Sequence, residues 1–181
     1  MSEIKSIAVF GGSAMGNSPV YHDGAVLLGQ RLAQKGIVMN YGAGQSGVIG
    51  AAAKSCMAAG GTVVGYINDY LLERELQRFE LTKVYQFASM HERKDAMYAA
   101  SDAFCVLPGG LGTLDEASEI LVLKQIGEQN KPVFFYNKNG FWDDFRNCVN
   151  ALIQNNVVQE EDAFLATYTD DIDRIFAELG V

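Results

Sequence analysis

The residues best suited to chemistry fall in two short stretches. In the first, Pro108-Gly109-Gly110-Leu111-Gly112-Thr113 runs into Leu114-Asp115-Glu116-Ala117-Ser118-Glu119. Gly109, Gly110 and Gly112 let the backbone turn tightly and bring amides close to a ligand. A helix starting behind them would present free N–H groups and a partial positive charge, an anion site suited to a phosphate. Glu116 and Glu119 would share one face of that helix. A carboxylate beside a phosphate loop is a partner for sugar hydroxyls or an attacking water. The same residues also read as plain helix architecture, because Thr113-x-x-Glu116 is a capping box and acidic residues favour a first turn.

The second stretch is Met90-His91-Glu92-Arg93-Lys94-Asp95. Adjacent Arg93 and Lys94 at a helix start are either a solvated face or ligands for an anion. His91 reads as a surface or capping residue. No His, Cys or carboxylate cluster has metal-ligand spacing, so neither a metal nor a cofactor is expected. A third stretch, YGAGQSGVIG, carries Gly42, Gly44 and Gly47 in a G-x-G-x-x-G pattern. The dinucleotide fingerprint sits after a first strand, with an acidic residue about 20 positions on. Here it follows the second strand, with Asp69 as a passable acidic partner. It reads as a tight strand-to-helix turn or as a phosphate or ribose contact in some ligand, with true NAD binding the weakest alternative.

Short apolar runs alternate with helical stretches and must position these residues. Strands are expected over residues 4–10, 37–40, 62–67, 83–88, 103–107 and 132–136. Helices are expected over 20–35, 48–59, 91–100, 114–129, 140–155 and 170–179, with Gly36 and Gly60-Gly61 as stop signals. Residues 68–80 are too polar to assign, and 163–168 form a short apolar stretch. Such alternation predicts an α/β fold, a mostly parallel sheet with helices on both faces. Ligands of such sheets bind at the carboxyl ends of the strands. Three glycine loops each follow a strand, and the topology lets all three open onto that edge.

A chain of 181 residues with no linker or repeat suits one domain over 1–181. A formal net charge of −8 offers no bulk attraction for nucleic acid or an anionic membrane. Bound phosphate must therefore be held locally. No apolar run approaches the ~18 residues of a membrane span. Cys56, Cys105 and Cys148 are far apart in sequence and odd in number, so reduced thiols in a cytoplasmic protein are expected.

Taken together, MHERKDAMYAASDAFCVLPGGLGTLDEASE resembles the LOG (Lonely Guy) family, marked by an Arg-Lys pair after Met-His and a later P-G-G-x-G-T-x-x-E. The FGGS loop, YGAGQSGVIG and KPVFFYN extend the likeness along most of the chain. The resemblance implies a Rossmann-like, doubly wound fold and a phosphoribohydrolase, despite an older lysine decarboxylase label. Such an enzyme splits nucleoside 5′-monophosphates, AMP or cytokinin riboside monophosphates, into free base and ribose 5-phosphate. It further implies a homodimer; a helix whose Ile120, Leu121, Val122, Leu123 and Ile126 exceed one sheet-facing stripe fits either a dimer contact or a covering helix. Carried across, Arg93 and Glu116 form the catalytic pair. The substrate contacts implied are Gly12 and Ser13, Gly42 and Gly44, Glu75, Met90 and Lys94, and the loop Gly109, Gly110, Leu111, Gly112, Thr113, Leu114 and Asp115. The chain departs from the family in FGGSAMG, in Ala43, and at Val122 and Leu123, which bear on the base pocket and the dimer-facing helix. The alternative is a non-catalytic carrier of nucleotides or molybdenum cofactor with the same phosphate cradle.

Overall fold

In the computed structural model, which describes residues 3–75 and 81–181, a seven-stranded sheet has the order β4-β3-β2-β1-β5-β6-β7. The strands are β1 Ser6–Phe10, β2 Val38–Tyr41, β3 Val63–Asn68, β4 Lys83–Phe87, β5 Ala103–Val106, β6 Val133–Tyr136 and β7 Thr167–Thr169. The helices are α1 Pro19–Gln34, α2 Gly47–Ala58, α3 Asp69–Glu75, α4 Met90–Ala99, α5 Leu111–Gln125, α6 Asp143–Gln154 and α7 Ile172–Leu179. Every strand pairing is parallel, where a mostly parallel sheet was expected. The central strands are unbroken apolar runs because helices cover both of their faces. In β1, Ile7 and Val9 point toward α1, α2 and α7, while Ala8 and Phe10 point toward α4 and α5.

Chain order reverses beside β1. Strands β2 to β4 spread to one side of it and β5 to β7 to the other. The loops leaving β1 and β5 must therefore diverge around a crevice, the switch point at which such sheets bind ligands. The α1–α2 pair buttresses the β1 side, and small residues bring these helices unusually close. A Cβ on Gly29 would overlap the Ala52 carbonyl oxygen and lie 2.8 Å from the Cys56 amide. The Ser55 hydroxyl donates to the Val26 carbonyl across the same seam at 2.8 Å.

Three element boundaries differ from expectation. Helix α5 begins at Leu111, with Gly110 as its N-cap, and ends at Gln125. Thr113 therefore sits inside the first turn, and the capping-box reading fails. The helix expected over 140–155 starts only at Asp143, since Asn139 takes a left-handed φ of 56° and the Asn137 side chain accepts from the Trp142 amide at 2.7 Å. Residues 69–75 of the unassigned segment form α3. All three cysteines are free, Cys56 and Cys105 buried, and burial pushes both thiols up, to about 11 and about 12. Among the described residues no helix is long and apolar enough to cross a membrane.

The α1–α2 seam makes a direct prediction. Gly29→Ala forces the new methyl against α2 backbone that cannot rotate away, so it should destabilise the fold by about 1–3 kcal/mol. Urea unfolding measures this, and an unchanged midpoint would show that the two helices can separate at no cost.

Candidate active site

The crevice predicted by the topology is an open cleft of about 400 Å³. Gly12 and Ser13 line it from the β1 loop, Gly42 and Gly44 from the β2 loop. Gly110, Leu111, Gly112 and Thr113 line it from the mouth of α5, and Met90, Arg93, Asp115 and Glu116 supply side chains. The three glycine loops thus meet at one edge, as the alternation of elements predicted. The β1 and β5 loops are tied by the Gly12 amide donating to the Pro108 carbonyl at 3.0 Å. Gly109 packs behind that contact, where a Cβ at Gly12 would come within 3.1 Å of its Cα.

The helix N-termini of α2 and α5, both at the cleft, differ in what their first amides meet. The Val48 and Ile49 amides of α2 donate to the Ala14 and Gly12 carbonyls of the β1 loop at 3.3 and 3.1 Å. The G-x-G-x-x-G turn therefore closes onto protein, not onto a pyrophosphate. Asp69, its candidate ribose partner, instead accepts from the Gln86 amide group at 2.6 Å. In α5 the first amide spent within the helix is that of Leu114, which donates to Gly110 at 3.0 Å. The amides of Leu111, Gly112 and Thr113 precede it and have no intrahelical acceptor. All three residues line the cleft, where free amides at a helix start suit an anion.

Among the described residues, Arg93 is the cation of the cleft. It is buried, which overturns the solvated-face reading of the Arg93-Lys94 pair. Ser89 caps α4 by accepting from the Glu92 amide at 3.2 Å and so fixes which face of α4 turns inward. The Arg93 guanidinium donates through Nε to the Tyr66 carbonyl at 2.8 Å, and Nη2 approaches Glu116 Oε1 at 3.4 Å. Gly42 makes room for it, because a Cβ there would overlap Nη2. Tyr66 was invisible to sequence reasoning, since it acts through its backbone oxygen within β3.

The ion pair is longer than the 2.7–2.9 Å of a tight charge-assisted bond. The side chain of Glu116 is 13% exposed. Burial pushes its carboxyl up to about 7, with Arg93 and Lys94 opposing and Asp115 and Glu119 adding to the rise. Glu116 therefore exchanges a proton near neutrality, a property suited to an acid or base.

Lys94 turns away from the cleft. Its ammonium bonds Asp115 at 3.0 Å and Glu119 at 2.8 Å. The Leu114 side chain packs into the core on the β1–β5 face. Neither borders the cleft, nor does Gly109. Glu75 ends α3, and its side chain lies outside the described residues. His91 is exposed. Among the described residues no group of His, Cys, Asp and Glu could hold a metal.

Comparison with known proteins bears on this geometry. A family model described as "Possible lysine decarboxylase" matches residues 49–179. The cytokinin riboside 5′-monophosphate phosphoribohydrolase LOG of Oryza sativa subsp. japonica is 36% identical over 160 residues, covering 88% of this chain and 66% of that one. The cytokinin riboside 5′-monophosphate phosphoribohydrolase LOG1 of Arabidopsis thaliana is 35% identical over 157 residues, covering 87% of this chain and 74% of the other. The chain thus spans about two thirds of the length of such relatives. Among solved structures, the molybdenum cofactor binding protein of Rippkaea orientalis superposes with a TM-score of 0.72 at 19% identity, over 99% of this chain and 98% of that one. The Moco carrier protein of Chlamydomonas reinhardtii gives 0.71 at 20%, over 98% and 96%. At such identities these two matches establish the fold alone.

The raised carboxyl predicts a pH signature. Folded Glu116 holds its proton to about 7 against an ordinary 4.5. The unfolded chain binds fewer protons in that window, so Glu116 lowers stability progressively from pH ~4.5 to ~7 and by a constant amount above. Glu116→Gln keeps an acceptor for Arg93 and removes the charge. Its stability relative to the parent should improve between pH 5 and pH 8 by up to about 3 kcal/mol. Denaturant melts at the two pH values measure this, and an equal difference at both would show that Glu116 titrates normally.

Proposed function

Because the chain belongs to the family described as possible lysine decarboxylases, that of the LOG phosphoribohydrolases, we propose that it hydrolyses the N-glycosidic bond of nucleoside 5′-monophosphates. The products are a free base and ribose 5-phosphate. The observation that carries this reading is the placement of the Arg93–Glu116 pair beside the open amides of α5. One end of the cleft suits a phosphate, and the other holds a titrating carboxyl.

Arg93 is the sole cation among the described lining residues, and Asp115 and Glu116 are acidic. The phosphate is therefore held by backbone amides of Leu111, Gly112 and Thr113, with Gly12 and Ser13 closing over it. That remote contact positions the reacting bond. Cleavage passes through an oxocarbenium-like state at the sugar carbon. Glu116, ionised, stabilises that charge and accepts a proton from the attacking water. The water oxygen bonds to the sugar carbon, and the base departs with the electrons of the broken C–N bond and takes up a proton from solvent. Arg93 does not give up a proton. It holds Glu116 in place and offsets negative charge on the departing base.

We read AMP and cytokinin riboside monophosphates as the substrates. The altered residues Val122 and Leu123 sit on α5 beyond the carboxylates and border no part of the cleft; Val122 lines the groove beside α6 and Leu123 packs against the core. A second copy of the chain is the partner that fits the groove between α5 and α6. Helix α6 buries none of its residues fully. Leu121, Val122, Val149 and Leu152 line the groove, Val122 and Leu152 being 51% and 42% exposed. Val122→Arg with Leu152→Arg should convert a dimer into a monomer by light scattering. A monomeric parent would remove the second copy from the proposal.

Purified protein incubated with AMP should release adenine and ribose 5-phosphate. Activity should rise as pH passes upward through about 7, as the ionised carboxylate forms. Arg93→Ala and Glu116→Gln should each lower turnover by about 10²–10⁴-fold, and Glu116→Gln should retain AMP affinity. Chromatography of the free base measures this. Tight AMP binding without base release by the parent would assign the chain to non-catalytic nucleotide carriers.

A further inference from the structure

Lys94 follows Arg93 directly, yet it engages a different part of α5. Arg93 meets Glu116 alone. Lys94 bridges Asp115 and Glu119, one helical turn apart, at 3.0 and 2.8 Å. One turn further along α4, the Tyr98 hydroxyl donates to the same Glu119 Oε2 at 2.9 Å. Both Arg93 and Lys94 are 5% exposed, although Lys94 borders no part of the cleft. α5 thus presents three carboxylates to α4, and the two cations divide them in a fixed way.

We propose that Lys94 is a positioning residue: it holds Asp115 and Glu119 so that Glu116 alone is left to Arg93 and the reacting bond, and it makes no contact with substrate. This builds on the hydrolase reading. Two of the three ammonium hydrogens already point at carboxylates, and a phosphate would have to break a bond to either. Burial opposes the charge on Lys94, but hydrogen bonds and attraction from Glu119 and Asp115 outweigh it and the net shift is upward. The ammonium therefore stays charged throughout the working range.

Its removal has two consequences. Asp115 borders the cleft and is free to compete for Arg93 once Lys94 is gone. Glu116 also loses a compensating charge. The charged groups acting on it among the described residues are Arg93 and Lys94 from α4 and Asp115 and Glu119 from its own helix. Without Lys94, one cation faces three acids, and the proton on Glu116 is held more tightly.

The test uses the unliganded protein, with glutamate side-chain carboxyls labelled with carbon-13 and titrated by NMR, and calorimetry with AMP alongside. In Lys94→Met the Glu116 signal should titrate about one pH unit higher than in the parent, with AMP affinity changed less than about threefold. Lys94→Arg, which keeps a buried cation, should restore most of the shift. The variant Lys94→Met/Asp115→Asn/Glu119→Gln, which removes the stranded acids with the lysine, should return Glu116 toward the parent and should fold even if the single variant does not. An unmoved Glu116 titration, or a loss of AMP affinity of about tenfold or more in Lys94→Met, overturns the proposal and makes Lys94 a substrate ligand. Failure of the parent to cleave AMP would overturn the hydrolase reading and leave the titration result standing.

Discussion

A guanidinium almost wholly removed from water is the constraint around which the ligand edge is arranged. Arg93 can be buried only if its donors find acceptors and its charge finds a counter-charge. The Tyr66 carbonyl within β3 answers the first demand and Glu116 on α5 the second. Gly42, at the end of β2, answers the steric one. One side chain thus draws together β2, β3, α4 and α5, none of which is adjacent to all the others in the sheet order. The cleft exists where these demands coincide with the reversal of strand order beside β1.

That arrangement separates two electrostatic tasks that one charged pocket would confuse. In the proposed reaction, anion binding falls to backbone dipoles, which carry no net charge and cannot be neutralised by a nearby carboxylate. Proton exchange falls to Glu116, whose carboxyl is raised because burial and its acidic neighbours outweigh the attraction of Arg93 and Lys94. Had a lysine supplied the phosphate site, its field would have pulled the carboxyl back down. The acidic face of α5 and the amide mouth of α5 are therefore complementary choices on a single helix. The second approaching helix, α2, is withdrawn from competition because its first amides are spent on the β1 loop.

What could be read from the sequence follows from which forces are local. Strand and helix order was legible because buried parallel strands are continuous apolar runs such as Ala103–Val106, and glycine stops mark the helix ends. The convergence of the glycine loops followed from topology alone. The start of α5 did not, because Thr113 and Glu116 mimic a capping box at the spacing that a true cap would use. The real N-cap, Gly110, offers no side chain to recognise. The roles of Arg93 and Lys94 were inseparable in sequence for a related reason. Neighbouring residues on a helix point about 100° apart, and only the position of α5 decides which one faces the cleft and which is enclosed by carboxylates.

The departures from the family fall away from the atoms that hold Arg93. Ala43 stands in a left-handed conformation, with φ of 61°, a region that favours glycine. That costs backbone strain, yet its methyl is fully buried, so part of the cost is returned as packing. Arg93 contacts Gly42, not Ala43, and Gly42 is retained. The substituted positions on α5, Val122 and Leu123, lie more than one turn beyond Glu116; Val122 lines the groove with α6 and Leu123 packs against the core. A change of side chain there acts on the groove or on core packing. It does not reach the guanidinium, the raised carboxyl or the free amides. α4 pins α5 through the pair of cations at 93 and 94, so the constraint on α5 is tightest at Asp115, Glu116 and Glu119.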